Sequence, residues 1–175
     1  MSEIDPFEDG VTHVNIYSQG RTPLGRFLSN YAVTPISTED GDFKSIEGYW
    51  YWLSVQDDRL RRMSGYAAKK LGRQLRAPDW REDTEFRRKI TLALAVKLVA
   101  NPEMLLQLTQ LGLPLDHYYV VSGLHVVCPS QGRWVVEFYE AVRTGETPVW
   151  KLVEMARRHV LTNLEVRDED TEEVR

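Results

Sequence analysis

The segment from Phe43 to Leu53, FKSIEGYWYWL, constrains the fold most, because it places one carboxylate beside four consecutive aromatic residues. If the segment is a helix, Ile46, Trp50 and Leu53 share one face at three- and four-residue spacing. Glu47 then lies about 60° around the helix from Trp50, at the edge of that apolar face. Such a carboxylate is either the solvated side chain of an ordinary amphipathic helix or a partly desolvated group suited to acid–base chemistry.

Small residues near this segment favour a binding pocket. Gly48 lies inside the predicted helix, where glycine costs about 1 kcal/mol relative to alanine unless space is needed. Ser29 and Asn30 are small polar residues between apolar neighbours, which suits either a loop that turns polar groups into a pocket or a simple cap or turn. We expect these three residues to leave room for a ligand beside Glu47.

The length and composition fit a single domain with a substantial core, since 175 residues carry 42% hydrophobic side chains. The formal net charge of -4 gives no overall attraction to nucleic acid or to an anionic membrane, so an anionic ligand must meet a local basic cluster. The densest such cluster, Lys69, Lys70 and Arg73, spans one helical turn and is either solvated surface or a phosphate contact.

The composition also bears on location. Cys128 is the only cysteine, which excludes an internal disulfide and a thiolate metal cluster and favours a reducing, cytoplasmic setting. Residues 1–10 are acidic without an apolar run, and no stretch of eighteen apolar residues occurs. We therefore expect neither an export signal nor a membrane span.

The pattern of apolar residues predicts a helix-rich α+β domain at 11–164 with a small antiparallel sheet. An acidic leader at 1–10 and an acidic tail at 165–175 are expected to be flexible. The predicted strands are Val11–Tyr17, a hairpin of Val33–Ile36 with Phe43–Ser45 that turns at Asp40-Gly41, and a hairpin of Tyr118–Val121 with Leu124–Val127 that turns at Ser122-Gly123.

The helices after Leu53 are predicted from caps and four-residue spacing. Asp79 and Glu82 have the spacing of a capping box, which would put Trp80 in the first turn of a long helix, where backbone amides favour anions. Ser64 can cap a helix over GYAAKKLGRQL, and the stripe Phe86, Ile90, Leu94 and Leu98 is the core face of the long helix. The pair Asn101-Pro102 begins a helix that ends at Gly112. Two last helices are predicted from the spacing of Trp134, Phe138 and Val142 and from that of Trp150, Val153, Ala156 and Val160.

Several common site types are absent from the sequence. The glycines are scattered, without a phosphate loop of the Walker or dinucleotide-binding kind, and there is no G-x-S-x-G elbow. The four histidines show no i, i+4 pairing or metal-binding cluster, so no metal site is expected. What remains is Glu47 in an aromatic setting with basic residues nearby, which suits acid–base chemistry on a flat, phosphorylated ligand.

Four segments, in this order, resemble the NADAR superfamily, whose members are also called YbiA-like proteins. They are FLSNYA at 27–32, FKSIEGYWYWL at 43–53, SGYAAKKLGR at 64–73, and PDW at 78–80 before a long helix that closes on VANPEMLLQLTQLG. The resemblance spans most of residues 20–143 and implies a YbiA-like fold. It also implies an N-glycosidase without a cofactor, which cleaves the bond between ribose C1′ and a nitrogen.

By position, the resemblance implies that Glu47 is the family's glutamate and that Ser29 and Asn30 are its pocket residues. It likewise implies that Trp80 is the family's helix-start tryptophan and that Asp116 is its third polar catalytic residue. A base could stack on Trp50 or Trp80. The predicted catalytic residues are Glu47, Lys69 and Asp116, and the predicted substrate-binding residues are Arg26, Ser29, Asn30, Gly48, Trp50, Arg73, Trp80 and Tyr118, with Arg26, Lys69 and Arg73 holding phosphates.

The chain departs from the family pattern at two places. Many members have His after the glutamate and Lys seven residues after it, whereas this chain has Gly48 and Ser54, so Lys69 becomes the candidate lysine. The Asp-x-x-Trp-Gly and Gly-x-Asn-x-Leu-Gly patterns of the members that act on riboflavin intermediates are missing. The departure favours the other family substrate, ADP-ribose attached to guanine.

We therefore expect a hydrolase that removes ADP-ribose from guanine in DNA or a nucleoside, paired in function with a DNA ADP-ribosyltransferase toxin. The alternatives are cleavage of phosphoribosylaminopyrimidine intermediates of riboflavin synthesis and a module that binds NAD or ADP-ribose without turnover. The net charge of -4 argues against tight binding to unmodified DNA. No membrane partner is expected.

Overall fold

Helices make up most of the regular structure in the computed structural model, which describes residues 4–121 and 125–159. Two short 3₁₀ turns, Pro6–Glu8 and Asp58–Arg62, accompany them. The helices are α1 (Pro23–Leu28), α2 (Ile46–Val55), α3 (Gly65–Leu75), α4 (Thr84–Val99), α5 (Pro102–Thr109), α6 (Arg133–Arg143) and α7 (residues 149–159).

The strands are short and pair only two at a time within the described residues. They are β1 (Val14–Asn15), β2 (Ile36–Thr38), β3 (Gly41–Phe43), β4 (Leu115–Asp116), β5 (Tyr119–Val121) and β6 (His125–Val127). The pairs β2–β3 and β5–β6 are antiparallel hairpins, whereas β1 runs parallel to β4. The predicted α+β class is confirmed, but three separate two-stranded ladders, one of them parallel, replace the single antiparallel sheet.

Helix α2 is the centre of the core. Its first turn is capped by Ser45, whose hydroxyl accepts a hydrogen bond from the Gly48 amide, and it ends where Gln56 adopts a left-handed conformation with φ 55°. Every residue from Ile46 to Trp52 is buried, against α3, α4 and the Asp58–Arg62 turn. A helix apolar on all sides belongs inside a core, so the interpretation of Glu47 as a solvated side chain is wrong.

The hairpin before α2 turns one residue earlier than predicted. Thr38 pairs with Gly41, so Glu39 and Asp40 form the turn in place of Asp40 and Gly41. Both turn carboxylates face α4, where Lys89 Nζ lies 2.8 Å from Asp40 Oδ2 and 3.2 Å from Glu39 Oε1. These ion pairs with a distant helix hold Glu39 and Asp40 in the turn of the hairpin. Local turn preferences do not include such contacts, so they predicted the wrong turn residues.

The start of α4 also differs from the prediction. Asp83, rather than Asp79, is the N-cap, and its carboxylate accepts a hydrogen bond of 2.7 Å from the Phe86 amide. Glu82 cannot close the predicted capping box because it accepts a hydrogen bond of 3.1 Å from Trp134 Nε1 of α6. Trp80 therefore precedes the helix, and its predicted place in the first turn is wrong. The predicted stripe Phe86, Ile90, Leu94 and Leu98 is buried, as expected.

The remaining helix bounds agree in part with the sequence. Helix α3 has the predicted extent, although the Ser64 side chain makes no capping hydrogen bond. Helix α5 begins at Pro102 as predicted but ends at Thr109 rather than at Gly112. The predicted turn Ser122-Gly123, the end of α7 at Val160 and the tail 165–175 lie outside the described residues.

Part of the predicted leader packs against the domain. Asp9 is buried, and its carboxylate accepts hydrogen bonds from the amides of Asn15 at 2.9 Å and Arg21 at 2.7 Å. These contacts tie residues preceding position 11 to β1 and to the loop before α1. The folded unit therefore reaches further towards residue 4 than the sequence pattern indicated.

Within residues 4–121 and 125–159, no single helix has the length and apolar character needed to cross a membrane. Helices α4 and α5 reach the necessary length and apolar character only when they are taken together, and the chain bends by 101° between them.

Close packing of α3 on α2 gives a stability prediction. A Cβ atom on Gly72 would lie 2.1 Å from Cγ and Cδ1 of Tyr51, so Gly72→Ala must push this buried ring aside. We expect the free energy of unfolding to fall by about 1–3 kcal/mol, as for overpacked cores, in urea denaturation.

Gly112→Ala is the matched control, because nothing lies within 4 Å of a Cβ atom built there. The stability of this variant should be unchanged or slightly higher, since alanine restricts the unfolded chain. Equal stability of the two variants would contradict the packing argument.

Candidate active site

A cavity of about 530 Å³ opens beside α2, with Glu47 in its wall. We call it the Glu47 pocket. Aromatic, cationic and small polar side chains from four parts of the chain line the same cavity. They are Trp50 and Tyr51 of α2, Tyr66, Lys69 and Arg73 of α3 with Arg76 after it, Ser29, Asn30 and Tyr31 after α1, and His117 and Tyr119 around β5.

Six of the predicted site residues line this pocket. The structure brings together Glu47, Lys69, Ser29, Asn30, Trp50 and Arg73, which are far apart in sequence. Lys69 Nζ lies 5.6 Å from the ring centre of Tyr31, which also lines the pocket. Lys69, the candidate lysine from another helix, thus lines the same pocket as Glu47.

Arg26 and Gly48 do not line the pocket. The Arg26 guanidinium donates hydrogen bonds to the carbonyl oxygens of Gly20 at 2.7 Å and Arg21 at 2.9 Å, away from Glu47. A Cβ atom on Gly48 would lie 2.5 Å from the Leu60 carbonyl oxygen, so this glycine lets the Asp58–Arg62 turn pack onto α2. The space at Gly48 is filled by protein rather than by a ligand.

Asp116, Tyr118 and Trp80 also lie outside the Glu47 pocket. Asp116 pairs with Arg133 at 3.3 Å, and the buried Tyr118 hydroxyl lies 2.7 Å from His13 Nε2. Trp80 lines a neighbouring cavity, where its ring meets Phe86 edge to face. The predicted contacts of these three residues with the substrate pocket are therefore not supported.

Their neighbours His117 and Tyr119 take the positions predicted for Asp116 and Tyr118. Successive side chains of an extended chain point to opposite faces, so a one-residue error in phase selects the wrong set. His117 Nδ1 lies 2.7 Å from the Ile16 carbonyl oxygen and therefore carries the proton. Its Nε2 then accepts from the Tyr119 hydroxyl at 3.1 Å, which fixes both side chains at the pocket wall.

Sequence reasoning also missed Tyr31, Tyr51 and Arg76. Tyr51 follows Glu47 by four residues and so lies on the same side of α2, which the helical spacing could have indicated. Tyr31 directly follows the two predicted pocket residues. Arg76 ends α3, and only its contact with the ring of Tyr51, at 5.3 Å, brings it to the pocket.

The loop that carries Ser29 and Asn30 is fixed from two sides. The Glu47 amide donates a hydrogen bond of 3.0 Å to the Asn30 carbonyl oxygen. Behind the loop, the fully buried Lys97 donates one of 3.0 Å to the Ser29 carbonyl oxygen, and burial lowers the pKa of Lys97 to about 7. The Asn30 Oδ1 atom is buried, and no group of the described residues donates a hydrogen bond to it.

The electrostatics of the pocket centre on Glu47, whose side chain is 7% exposed. Burial raises the pKa of Glu47 to about 7, and the positive charges of Lys69, Arg73 and Arg76 oppose this shift without cancelling it. No hydrogen bond or ion pair reaches its carboxylate from the described residues. The carboxyl group therefore changes its charge near neutral pH and remains available to a ligand.

Burial and the charge of Glu47 also shift the pKa values of the titratable side chains around it. Burial lowers the pKa of Lys69, while the Glu47 charge acts in the opposite direction. Burial, followed by the negative charge of Glu47, raises the pKa of Tyr31, Tyr51 and Tyr119. The three phenols consequently stay protonated and can donate hydrogen bonds. Across the described residues, no group of His, Cys, Asp and Glu side chains could hold a metal ion.

The search of solved structures finds a neighbour in the NMR structure of the Escherichia coli protein YbiA, with a TM-score of 0.55. The fold is YbiA-like. The two sequences are 18% identical, and the match covers 78% of this chain and 85% of YbiA. A likeness of this degree establishes the fold alone. No protein-family model and no curated protein matches the sequence.

The raised pKa of Glu47 predicts that the site destabilises the fold above neutral pH. Between the ordinary value of 4.5 and about 7, the folded state keeps a proton that the unfolded state has lost. The free energy of unfolding therefore falls as pH rises through this window. At about pH 8, Glu47→Gln should raise it by about 3 kcal/mol, and near pH 4 the difference should almost vanish, in urea denaturation.

Glu137→Gln provides the matched control, because this glutamate is exposed on α6. Its stability should follow that of the unmodified protein at both pH values. A Glu47→Gln variant that is less stable at pH 8 would mean that the carboxylate is well paired in the fold.

Proposed function

We propose that the protein is an N-glycosidase that hydrolyses the bond between ribose C1′ and a base nitrogen, with Glu47 as the catalytic carboxylate. One observation carries the proposal: an unpaired, buried carboxyl group with a pKa of about 7 lies in a pocket of aromatic and cationic side chains. Burial on this scale costs stability, and such costs concentrate at functional sites. The YbiA-like fold supports the same reaction class.

The reaction requires a group that tolerates positive charge on the sugar. As the C1′–N bond breaks, its electron pair goes to the base nitrogen and positive charge develops at C1′. The ionised Glu47 stabilises that charge and accepts a proton from water, whose oxygen forms the new bond to C1′. The base nitrogen takes up a proton as it leaves, so the products are a ribose hydroxyl and a free base.

The cations of the pocket have two roles in the proposal. Arg73 and Arg76 meet the phosphates of the substrate, since guanidinium groups bind phosphate oxygens in pairs. Lys69 keeps a part of Glu47 ionised near neutral pH, because its positive charge opposes the effect of burial on the Glu47 pKa. The aromatic side chains that line the pocket give it apolar walls suited to a flat base.

We further propose that the substrate is ADP-ribosylated guanine, in DNA or as a nucleoside. The enzyme would then reverse ADP-ribosylation and act as the antitoxin of a DNA ADP-ribosyltransferase toxin. The pocket combines rings for a base with cations for a diphosphate. Missing family patterns in the C-terminal third count against phosphoribosylaminopyrimidines. Lys69 beside Glu47 supplies the missing family lysine, which favours turnover over simple binding.

The central test is hydrolysis of ADP-ribosylated guanosine by the protein and by Glu47→Gln. The substitution keeps the size of the side chain and removes its charge, so turnover should fall about 10²-fold or more with substrate affinity largely kept. Since the ionised form acts, kcat/KM of the unmodified protein should rise with pH around a midpoint near 7. Chromatographic detection of free ADP-ribose and guanosine measures both.

Glu137→Gln again serves as the control and should retain full activity at every pH. Full activity of Glu47→Gln would remove Glu47 from the mechanism. Faster cleavage of a phosphoribosylaminopyrimidine than of ADP-ribosylated guanosine would overturn the substrate, and tight binding of both without cleavage would favour a binding module.

Lys69→Met tests the coupling between the two charged groups. The positive charge of Lys69 lowers the pKa of Glu47, so its removal should raise that pKa further. The midpoint of the kcat/KM profile should then move to higher pH. Lys70→Met, at the exposed neighbouring position, should leave the midpoint unchanged. An unshifted midpoint in Lys69→Met would show that the profile does not report Glu47.

A further inference from the structure

A second cavity, of about 860 Å³, adjoins the Glu47 pocket. Its wall carries five arginines and a single glutamate, Glu82, together with two tryptophans. The two cavities share Arg73 and Arg76, so they are continuous along the end of α3. We call the second cavity the arginine groove, and its defining residues are Arg73, Arg76, Arg81, Arg87, Arg133, Trp80 and Trp134.

The groove is strongly positive in a chain whose net charge is -4. Arg133 has a partner outside the groove wall, Asp116 at 3.3 Å, and Arg87 lies 3.9 Å from Glu82. In the described part of the chain, Arg73, Arg76 and Arg81 form no ion pair. The net charge of the whole chain therefore says little about what this surface attracts.

Stacking on indole rings holds two of these guanidinium groups in place. Arg76 lies 5.0 Å from the ring centre of Trp80, and Arg87 lies 5.7 Å from that of Trp134. Trp134 in turn stacks on Trp50 of the Glu47 pocket at 5.7 Å. Among the described residues, Arg76 forms no ion pair, so its N–H groups remain for phosphate oxygens, which guanidinium groups bind in pairs.

The size of the groove points to a polymer. The Glu47 pocket, at about 530 Å³, already falls within the range of small-molecule sites. A free nucleotide has no need of a second, larger basic cavity, whereas a strand that continues beyond a base in the pocket would run through it. Glu47 is buried, so the base that reaches it must leave any duplex.

We propose that the arginine groove binds the phosphodiester backbone of a single-stranded nucleic acid whose modified base enters the Glu47 pocket. The inference rests on the proposed function for the identity of that base. It differs from the expectation, drawn from net charge, that unmodified DNA is not tightly bound. DNA and RNA share the backbone chemistry, and the experiment separates them.

The test compares two variants with equal loss of charge, Arg81→Gln/Arg87→Gln/Arg133→Gln in the groove and Arg62→Gln/Lys151→Gln/Arg157→Gln on exposed surface elsewhere. Fluorescence anisotropy measures binding of an unmodified single strand of roughly ten nucleotides. The groove variant should lose about tenfold or more in affinity, and its slope of log K against log salt should shrink by about 2, for three lost phosphate contacts. The control variant should behave like the unmodified protein.

Three further arms sharpen the result. Tighter binding of DNA and RNA single strands than of a duplex supports the proposal. The strand that binds more tightly, DNA or RNA, identifies the class of nucleic acid that the groove takes. Equal affinity of the two triple variants for the single strand would overturn the proposal. It would also be overturned if the groove variant lost as much affinity for ADP-ribose alone as for the strand. Because Arg87 packs on Trp134, Arg81→Gln/Arg133→Gln repeats the test if the triple variant melts early.

Failure of the proposed function has a different signature. Strand binding needs no turnover, so a protein that binds through the groove but cleaves no ADP-ribosylated guanosine contradicts the N-glycosidase alone. The groove variant should cleave ADP-ribosylated guanosine normally and an ADP-ribosylated oligonucleotide about tenfold less efficiently at low substrate. Equal effects on both substrates would contradict the groove alone.

Discussion

Burial of the Glu47 carboxyl group inside α2 is the constraint on which the site depends. The helix is enclosed by α3, α4 and the Asp58–Arg62 turn, so its one acidic side chain is buried. Among the described residues, no cation lies within ion-pair distance of this side chain. The surrounding arginines and Lys69 lower the cost of ionisation without removing it. The same burial that destabilises the charged form places the carboxylate where a substrate can use it.

Close approach of neighbouring segments makes that burial possible. Gly48 admits the Leu60 carbonyl oxygen against α2, and Gly72 admits the ring of Tyr51 against α3. On the other side, the buried Lys97 and the Glu47 amide fix the carbonyl groups of Ser29 and Asn30. The pocket is thus held by backbone contacts from three elements, which is the kind of support that keeps catalytic geometry rigid.

Charge in this protein acts locally. The whole chain is acidic, yet the end of α3, the loop before α4, the first part of α4 and the start of α6 bring five arginines to one cavity. Two of them stack on tryptophans, so their positions are set by packing as well as by charge. The Glu47 pocket and the arginine groove meet at Arg73 and Arg76, which joins the proposed chemistry to the proposed binding of a strand.

The sequence by itself determined the α+β class, the extent of α3, the buried stripe of α4 and the central place of Glu47, because these follow from periodicity and composition within one segment. Six of the predicted site residues also meet in one pocket. Tertiary structure alone decided the rest. Glu82 bonds to Trp134 in place of capping α4, Lys89 holds the turn at Asp40, and the phase of the extended chain turns His117 towards Glu47 where Asp116 was expected. Each of these depends on a contact with a residue distant in sequence, and such contacts leave no mark on local patterns.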